Sequence, residues 1–149
     1  MAASASHRKS AKSILRHAPK VYGWGLAATG SLGVPKLLAP EEVRLQPMRL
    51  IYKPLLLDFA RHNLVTSVAS GHGFSLFVIH NPKLKRRQLF GSGLNTSGQL
   101  GFQSGAKDGK NNQWVWRPSL IELPSSSNVT HSAAGRSHSI AVLDDRGWL

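Results

Sequence analysis

An all-β fold assembled from copied units is what this sequence predicts, on three observations. An eleven-residue phrase occurs twice: Gly23-Trp24-Gly25-Leu26-Ala27-Ala28-Thr29-Gly30-Ser31-Leu32-Gly33 returns as Gly91-Ser92-Gly93-Leu94-Asn95-Thr96-Ser97-Gly98-Gln99-Leu100-Gly101, identical at four glycines and two leucines. A second phrase, running through Gly71-His72-Gly73-Phe74-Ser75, is echoed by Gly135-Arg136-Ser137-His138-Ser139. The two phrases alternate, and short β-like runs lie between them. Self-similarity on this scale marks one supersecondary unit copied and stacked upon itself.

The elements follow in order. Residues 1–20 are basic, free of acidic residues and contain Ser4, Ser6, Ser10 and Ser13; on a helix, Ala11, Ile14, Leu15 and Ala18 would share one face. That composition predicts a mitochondrial transit peptide, with a disordered basic tail as the alternative. Residues 21–50 form half a unit: Val21–Gly25 is one strand, and its partner is expected within Glu41–Leu50. Residues 51–64 are an insertion, either a short helix after Pro54 or irregular chain. Residues 65–123 make a complete four-stranded unit. Its strands are the small-residue run Val65–Ser70, the apolar run Ser75–Ile79, a run opening at Gln88-Leu89-Phe90-Gly91, and Ser119–Leu123 before Pro124. Residues 129–149 begin another unit, with strands at Val129–Ala134 and Ser139–Leu143. Asp144-Asp145-Arg146-Gly147 reads as a hairpin turn, and Trp148 and Leu149 open a further strand. A chain ending inside a strand is expected to be a fragment, a truncated isoform or an incomplete gene model. Such a chain is expected to be marginally folded, because its broken edges are exposed.

The phrases have a physical reading. Glycine serves where torsions or close approach exclude a Cβ. Gly30 and Gly98 fall in turns, and Gly33 and Gly101 follow Leu32 and Leu100, each expected to plug the gap to a neighbouring unit. Small residues around Gly71 and Gly135 suit innermost strands crowded about an axis, as in a β-propeller of four-stranded antiparallel blades.

Composition excludes several classes. With no cysteine, the chain of 149 residues has neither disulfides nor a thiolate metal site. No apolar run is long enough to span a bilayer. Gly25-x-x-x-x-Gly30 and Gly93-x-x-x-x-Gly98 have P-loop spacing but lack the Lys and Ser/Thr that such a loop needs. His138-Ser139 near Asp144 is read as a repeat feature rather than a triad, since Ser75 occupies the same place without a histidine before it. The seven histidines have no metal-ligand spacing. No catalytic residue, cofactor, metal or small-molecule substrate is expected.

The formal net charge is +12. Half of it lies in residues 1–40. Two further basic segments stand out: Lys83, Lys85, Arg86 and Arg87 in a hairpin, and Lys107, Lys110 and Arg117 flanking Trp114 and Trp116 in a long loop. Cations attract phosphate and exposed indoles offer stacking surfaces for single-stranded bases. Together the two segments are expected to form a rim facing RNA or an acidic protein. The alternative is a solvated hairpin tip and tryptophans packed beneath their own loop.

The phrases resemble the regulator of chromosome condensation repeat family. Gly135, His138, Ser139, Asp144 and Gly147 match its Gly-x-x-His-Ser and Asp-x-x-Gly positions, and Gly98-Gln99-Leu100-Gly101 matches its Gly-Gln-Leu-Gly. Phe74, Ser92 and Ser31 depart from the pattern. Within the family, Tyr22-Gly23-Trp24-Gly25, Gly71-His72-Gly73-Phe74 and Trp114-Val115-Trp116-Arg117-Pro118 are most similar to its mitochondrial, exchange-factor-like branch. The resemblance implies a seven-bladed propeller, of which about two blades are present. It also implies guanine-nucleotide exchange on a mitochondrial GTPase, or alternatively an RNA-associated scaffold for mitochondrial ribosome assembly. The implied location is the matrix or, peripherally, the inner membrane.

Overall fold

A computed structural model describes residues 19–37, 50–101, 113–123 and 128–144. Among the described residues are eight strands, one short α-helix and a 3-10 turn at Pro35–Leu37: β1 (Tyr22–Leu26), β2 (Leu50–Leu56), α1 (Asp58–Arg61), β3 (Leu64–Ser70), β4 (Phe74–Asn81), β5 (Arg86–Leu94), β6 (Trp114–Leu120), β7 (Asn128–Ala134) and β8 (Ser139–Asp144). They form three antiparallel sheets in sequence order: β1-β2, β3-β4-β5-β6 and β7-β8. This is a partial β-propeller, with one complete blade between two halves.

The central sheet is sandwiched because β4 is apolar on both faces. Phe74, Leu76 and Val78 are buried on one face, in a cluster with Leu89, Leu100, Ile121 and Val129, against Ala134, Ala141 and Leu143 of the third sheet. Phe77 and Ile79 point the other way, into a cluster with Leu57, Ala60 and Val65 that receives Val21, Leu32 and Val34 from the chain on either side of β1. Alternation along one strand thus supplies two inter-sheet layers. Leu32 and Leu100 take equivalent places, one in each layer, over Gly23 and Gly91 respectively. The expectation that these leucines fill the gap between units matches this placement.

Two strands lie elsewhere than the sequence predicts. The partner of β1 is Leu50–Leu56, so the segment expected as an insertion over residues 51–64 carries a strand, and α1 starts after Leu57 rather than after Pro54. The last strand of the complete sheet is Trp114–Leu120, not Ser119–Leu123. In both cases a proline, Pro54 or Pro118, sits inside the strand. Each strand is the outer edge of its sheet, where a missing N–H leaves no ladder bond unmade. Aligned on their registers, with Gly25 opposite Ile51 and Gly93 opposite Val115, the two strands are a third repeated phrase. Tyr52-Lys53-Pro54-Leu55-Leu56 corresponds to Trp116-Arg117-Pro118-Ser119-Leu120. The Asp145–Leu149 turn and strand lie outside the described residues, Gly147 among them, as do residues 1–18.

The repeated phrases are the same object in three dimensions. Gly30 N–H donates to the Ala27 carbonyl at 3.0 Å and Gly33 N–H to the Gly30 carbonyl at 2.9 Å; Gly98 and Gly101 repeat this at 3.1 and 2.9 Å. At Gly93 the phrase admits no other residue: φ is +109°, and a Cβ would stand 2.4 Å from the Gly73 carbonyl oxygen. Gly98, at φ +71°, has none of the described atoms within 4 Å of where a Cβ would stand. Gly98→Ala therefore costs only the left-handed conformation, about 1 kcal/mol. Gly93→Ala adds a backbone clash and is expected to cost well above about 2 kcal/mol. Urea denaturation of the two variants tests the contrast.

Candidate interaction surface

Every strand of the central sheet runs between two ends of the stack, and the ends differ in chemistry. At one end lie the corner Gly71–Gly73, the turn after β5, and the start of β6, since Phe74 pairs with Gly93 and Leu94 with Trp114. At the other end lies the β4–β5 hairpin, where Asn81 pairs with Arg86. Nine residues of β5 separate them, roughly 26 Å at the rise of an extended strand.

The first end gathers all copies of both phrases. Consecutive corners touch: His72 N–H donates to the Gly135 carbonyl at 3.2 Å. A Cβ at Gly71 would lie 2.6 Å from that same carbonyl oxygen, and nearer still to the Phe74 ring. At Gly135 the His138 ring covers the glycine in the same way, and Gly71 N–H to the Phe74 carbonyl (2.9 Å) corresponds to Gly135 N–H to the His138 carbonyl (3.0 Å). The Gly-x-x-aromatic/His spacing is thus a corner that folds a ring back onto its own glycine. Neighbouring units are also tied by hydroxyls. Ser92 Oγ donates to the Ser31 carbonyl at 3.2 Å, and Ser139 Oγ to the Gln99 carbonyl at 2.7 Å. That bond gives Ser139 a structural task.

Turn residues of one unit dock on the outer strand of the next. Gly30 lies under the Trp116 ring and Gly33 under the Pro118 ring. Trp114 and Trp116 stack face to face, with centroids 5.4 Å apart and planes 8° apart, and both remain partly exposed. They belong to β6 rather than to a loop. One indole face is in contact with protein and the pair still presents aromatic surface.

The second end carries the basic hairpin. Asn81 Oδ1 accepts the N–H groups of Lys83 (3.1 Å) and Leu84 (3.2 Å), and Asn81 Nδ2 donates to Gln88 Oε1 at 2.8 Å. This side-chain turn holds Lys83 and Lys85 in solvent. Arg86 and Arg87 are half-buried at the start of β5, and Arg87 N–H donates to Asn128 Oδ1 of the third sheet at 2.8 Å. Beside the hairpin is an open cleft of about 330 Å³ lined by His62, His80, Lys83, Gln88 and Phe90, among others.

The expected single rim is therefore divided. Lys83, Lys85, Arg86 and Arg87 stand at one end of β5 and Trp114 and Trp116 at the other; Arg117 is on β6, and Lys107 and Lys110 lie outside the described residues. Among the described residues no group of three His, Asp or Glu side chains could hold a metal ion, and no helix is long and apolar enough to cross a membrane.

Asn95 has a structural task that the repeated phrase does not assign to it. Asn95 is fully buried, and its Oδ1 accepts the Leu100 N–H at 2.8 Å across the turn. The signal was present as an asparagine opening a glycine turn. Its counterpart in the first phrase is Ala27, so the repeat itself masked it. Asn95→Ala is expected to leave a buried N–H unmatched and to cost about 1–3 kcal/mol in chemical denaturation.

Residues 88–142 match the family model described as regulator of chromosome condensation (RCC1) repeat. The chain is 31% identical over 140 residues to the mouse (Mus musculus) "RCC1-like G exchanging factor-like protein" and 30% identical to the human (Homo sapiens) protein of the same name. Each match covers 87% of this chain, and the chain spans only 30% of the length of those relatives. Among solved structures, human WBSCR16 superimposes with a TM-score of 0.66 at 28% identity, over 88% of this chain and 32% of the other. Prp20p of Saccharomyces cerevisiae, studied for its binding to Gsp1p and histones, superimposes with a TM-score of 0.63 at 19% identity, over 84% of this chain and 27% of that one. The second likeness shows the fold alone.

Proposed function

We infer that this chain of regulator of chromosome condensation (RCC1) repeats is a non-enzymatic interaction module of the exchange-factor type. The single observation that carries the reading is its similarity, over 140 residues, to relatives named as exchange-factor-like. Such a module makes and breaks no covalent bond. It binds the nucleotide-free form of a GTPase more tightly than the loaded form, and that difference in affinity accelerates GDP release. The phrase end of the stack suits the task, because its turns and corners are held rigid by neighbouring sheets while presenting loops to a partner. The basic, serine-containing residues 1–20 support a mitochondrial target. Release of fluorescent mant-GDP from a panel of mitochondrial GTPases tests the proposal. At least one is expected to lose nucleotide several-fold faster with the chain present, and a spontaneous rate throughout would refute the reading.

A second reading, association with mitochondrial ribosomal RNA, is favoured by the net charge of +12 and the exposed Lys83 and Lys85. Here affinity falls with salt in proportion to the phosphates neutralised. A Lys83→Ala/Lys85→Ala variant is expected to lower the salt slope for a single-stranded RNA by about 1.4. An unchanged slope removes the hairpin from the interface.

A further inference from the structure

The cleft beside the β4–β5 hairpin is lined only by residues within 62–90, so the half sheets on either side contribute nothing to it. The register places its parts. Ile79 lies opposite Gln88 and Phe77 opposite Phe90, so Ile79, Asn81, Gln88 and Phe90 share one face of the central sheet. His62 and Asn63, in the connection from α1 to β3, complete the lining. Phe90 is half-buried, and its ring is steadied by Phe59 of α1, with centroids 5.8 Å apart.

One side chain organises the cleft. Asn81 Oδ1 accepts the Lys83 and Leu84 N–H groups, which fixes the backbone that carries Lys83. Asn81 Nδ2 donates to Gln88 Oε1 at 2.8 Å, which orients the Gln88 amide and leaves Gln88 Nε2 with no partner among the described residues. Asn63 Nδ2 donates to the Phe59 carbonyl at 2.9 Å, so Asn63 Oδ1 is left as an acceptor. An amide donor and an amide acceptor beside the apolar Ile79 and Phe90 suit a flat ring with a polar edge. The charge in the lining has one sign. No Asp or Glu lines the cleft, whereas His62 and Lys83 do, and Arg86 lies opposite Asn81 on the same face.

We propose that this cleft takes one nucleoside monophosphate unit, its base against Phe90 and Ile79 and its phosphate at Lys83. At about 330 Å³ the space is at the small end of ligand sites, sized for one such unit and not for a duplex or a helix. The aromatic ring gives a stacking surface to any base, and the Gln88 and Asn63 amides meet the edge of that base. Because Asn81 sets both the Lys83 backbone and the Gln88 amide, the two halves of the site are pre-organised together. Two sources supply this chemistry: a free mononucleotide, and one nucleotide of a single-stranded RNA. The inference is independent of the exchange-factor reading.

Titration of the unmodified chain with uridine monophosphate, followed by nitrogen-15 NMR, tests the proposal. Saturable shifts are expected at the Gln88 side-chain amide and at the backbone amides of Ile79 through Lys83. Uridine alone and inorganic phosphate alone are each expected to bind about tenfold more weakly. Gln88→Met keeps the bulk of the side chain and leaves Asn81 its hold on the turn. It is expected to weaken the monophosphate about tenfold, with circular dichroism confirming the fold. Lys83→Ala should weaken the monophosphate and leave uridine unchanged. A short oligouridylate that binds more than about tenfold tighter than the monophosphate, and loses that affinity in Gln88→Met, identifies a strand as the source; equal affinities identify the free nucleotide. Three results would overturn the inference: no saturable shift at Gln88 with either probe, inorganic phosphate binding as well as the monophosphate, or an unchanged affinity in folded Gln88→Met.

Discussion

Everything in this molecule depends on β4 being apolar on both faces. A strand that met solvent on either side could hold only one neighbour, and the repeats would separate into a hairpin and a sandwich. With Leu76 and Val78 on one face and Phe77 and Ile79 on the other, the central sheet is the common wall of two layers. Each buried side chain of this size contributes about 1.5–3 kcal/mol relative to exposure. The glycine phrases let the sheets approach closely enough for those layers to form. At Gly71 and Gly135 backbone meets backbone, and at Gly23 and Gly91 a leucine fills the space a Cβ would take.

The same translation explains which surfaces are finished. Positions equivalent to Phe74, Leu76 and Val78 are His138, Ile140 and Val142, and they are exposed because no sheet follows them among the described residues. At the other flank, Tyr22, Trp24 and Tyr52 are exposed where their counterparts in the central unit, Phe90, Ser92 and Trp116, meet neighbouring chain.

Much of this was legible in the residues because the repeat carries its own alignment. A glycine phrase that recurs fixes strand, turn and corner at once, which is why β1, β3, β4, β7 and β8 begin within a residue of their expected places. The outer strands were obscured for one reason. Pro54 and Pro118 read as breakers in a linear sequence, and only the sheet shows that both sit on an edge where their missing donor is harmless. The interaction surface was the least legible part. Basic hairpin and tryptophan pair are close in sequence, and a nine-residue strand places them at opposite ends of the stack. Linear proximity carries no information about which end of a strand a loop occupies.

That division bears on function. The end that gathers the turns and corners is rigid and mixed in chemistry, suited to recognising a protein surface, whereas the hairpin end is narrow and cationic. A partner of the first kind would read shape, and one of the second would read charge.

Amide hydrogen exchange of β4 tests the central claim most directly. Amides of Leu76 through Ile79 are expected to exchange only on global unfolding, and more slowly than those of β1, β2 and β8, which are walled on one face. Exchange of β4 on the timescale of the flanking strands would mean that the three sheets are not held by a shared wall, and would contradict the account.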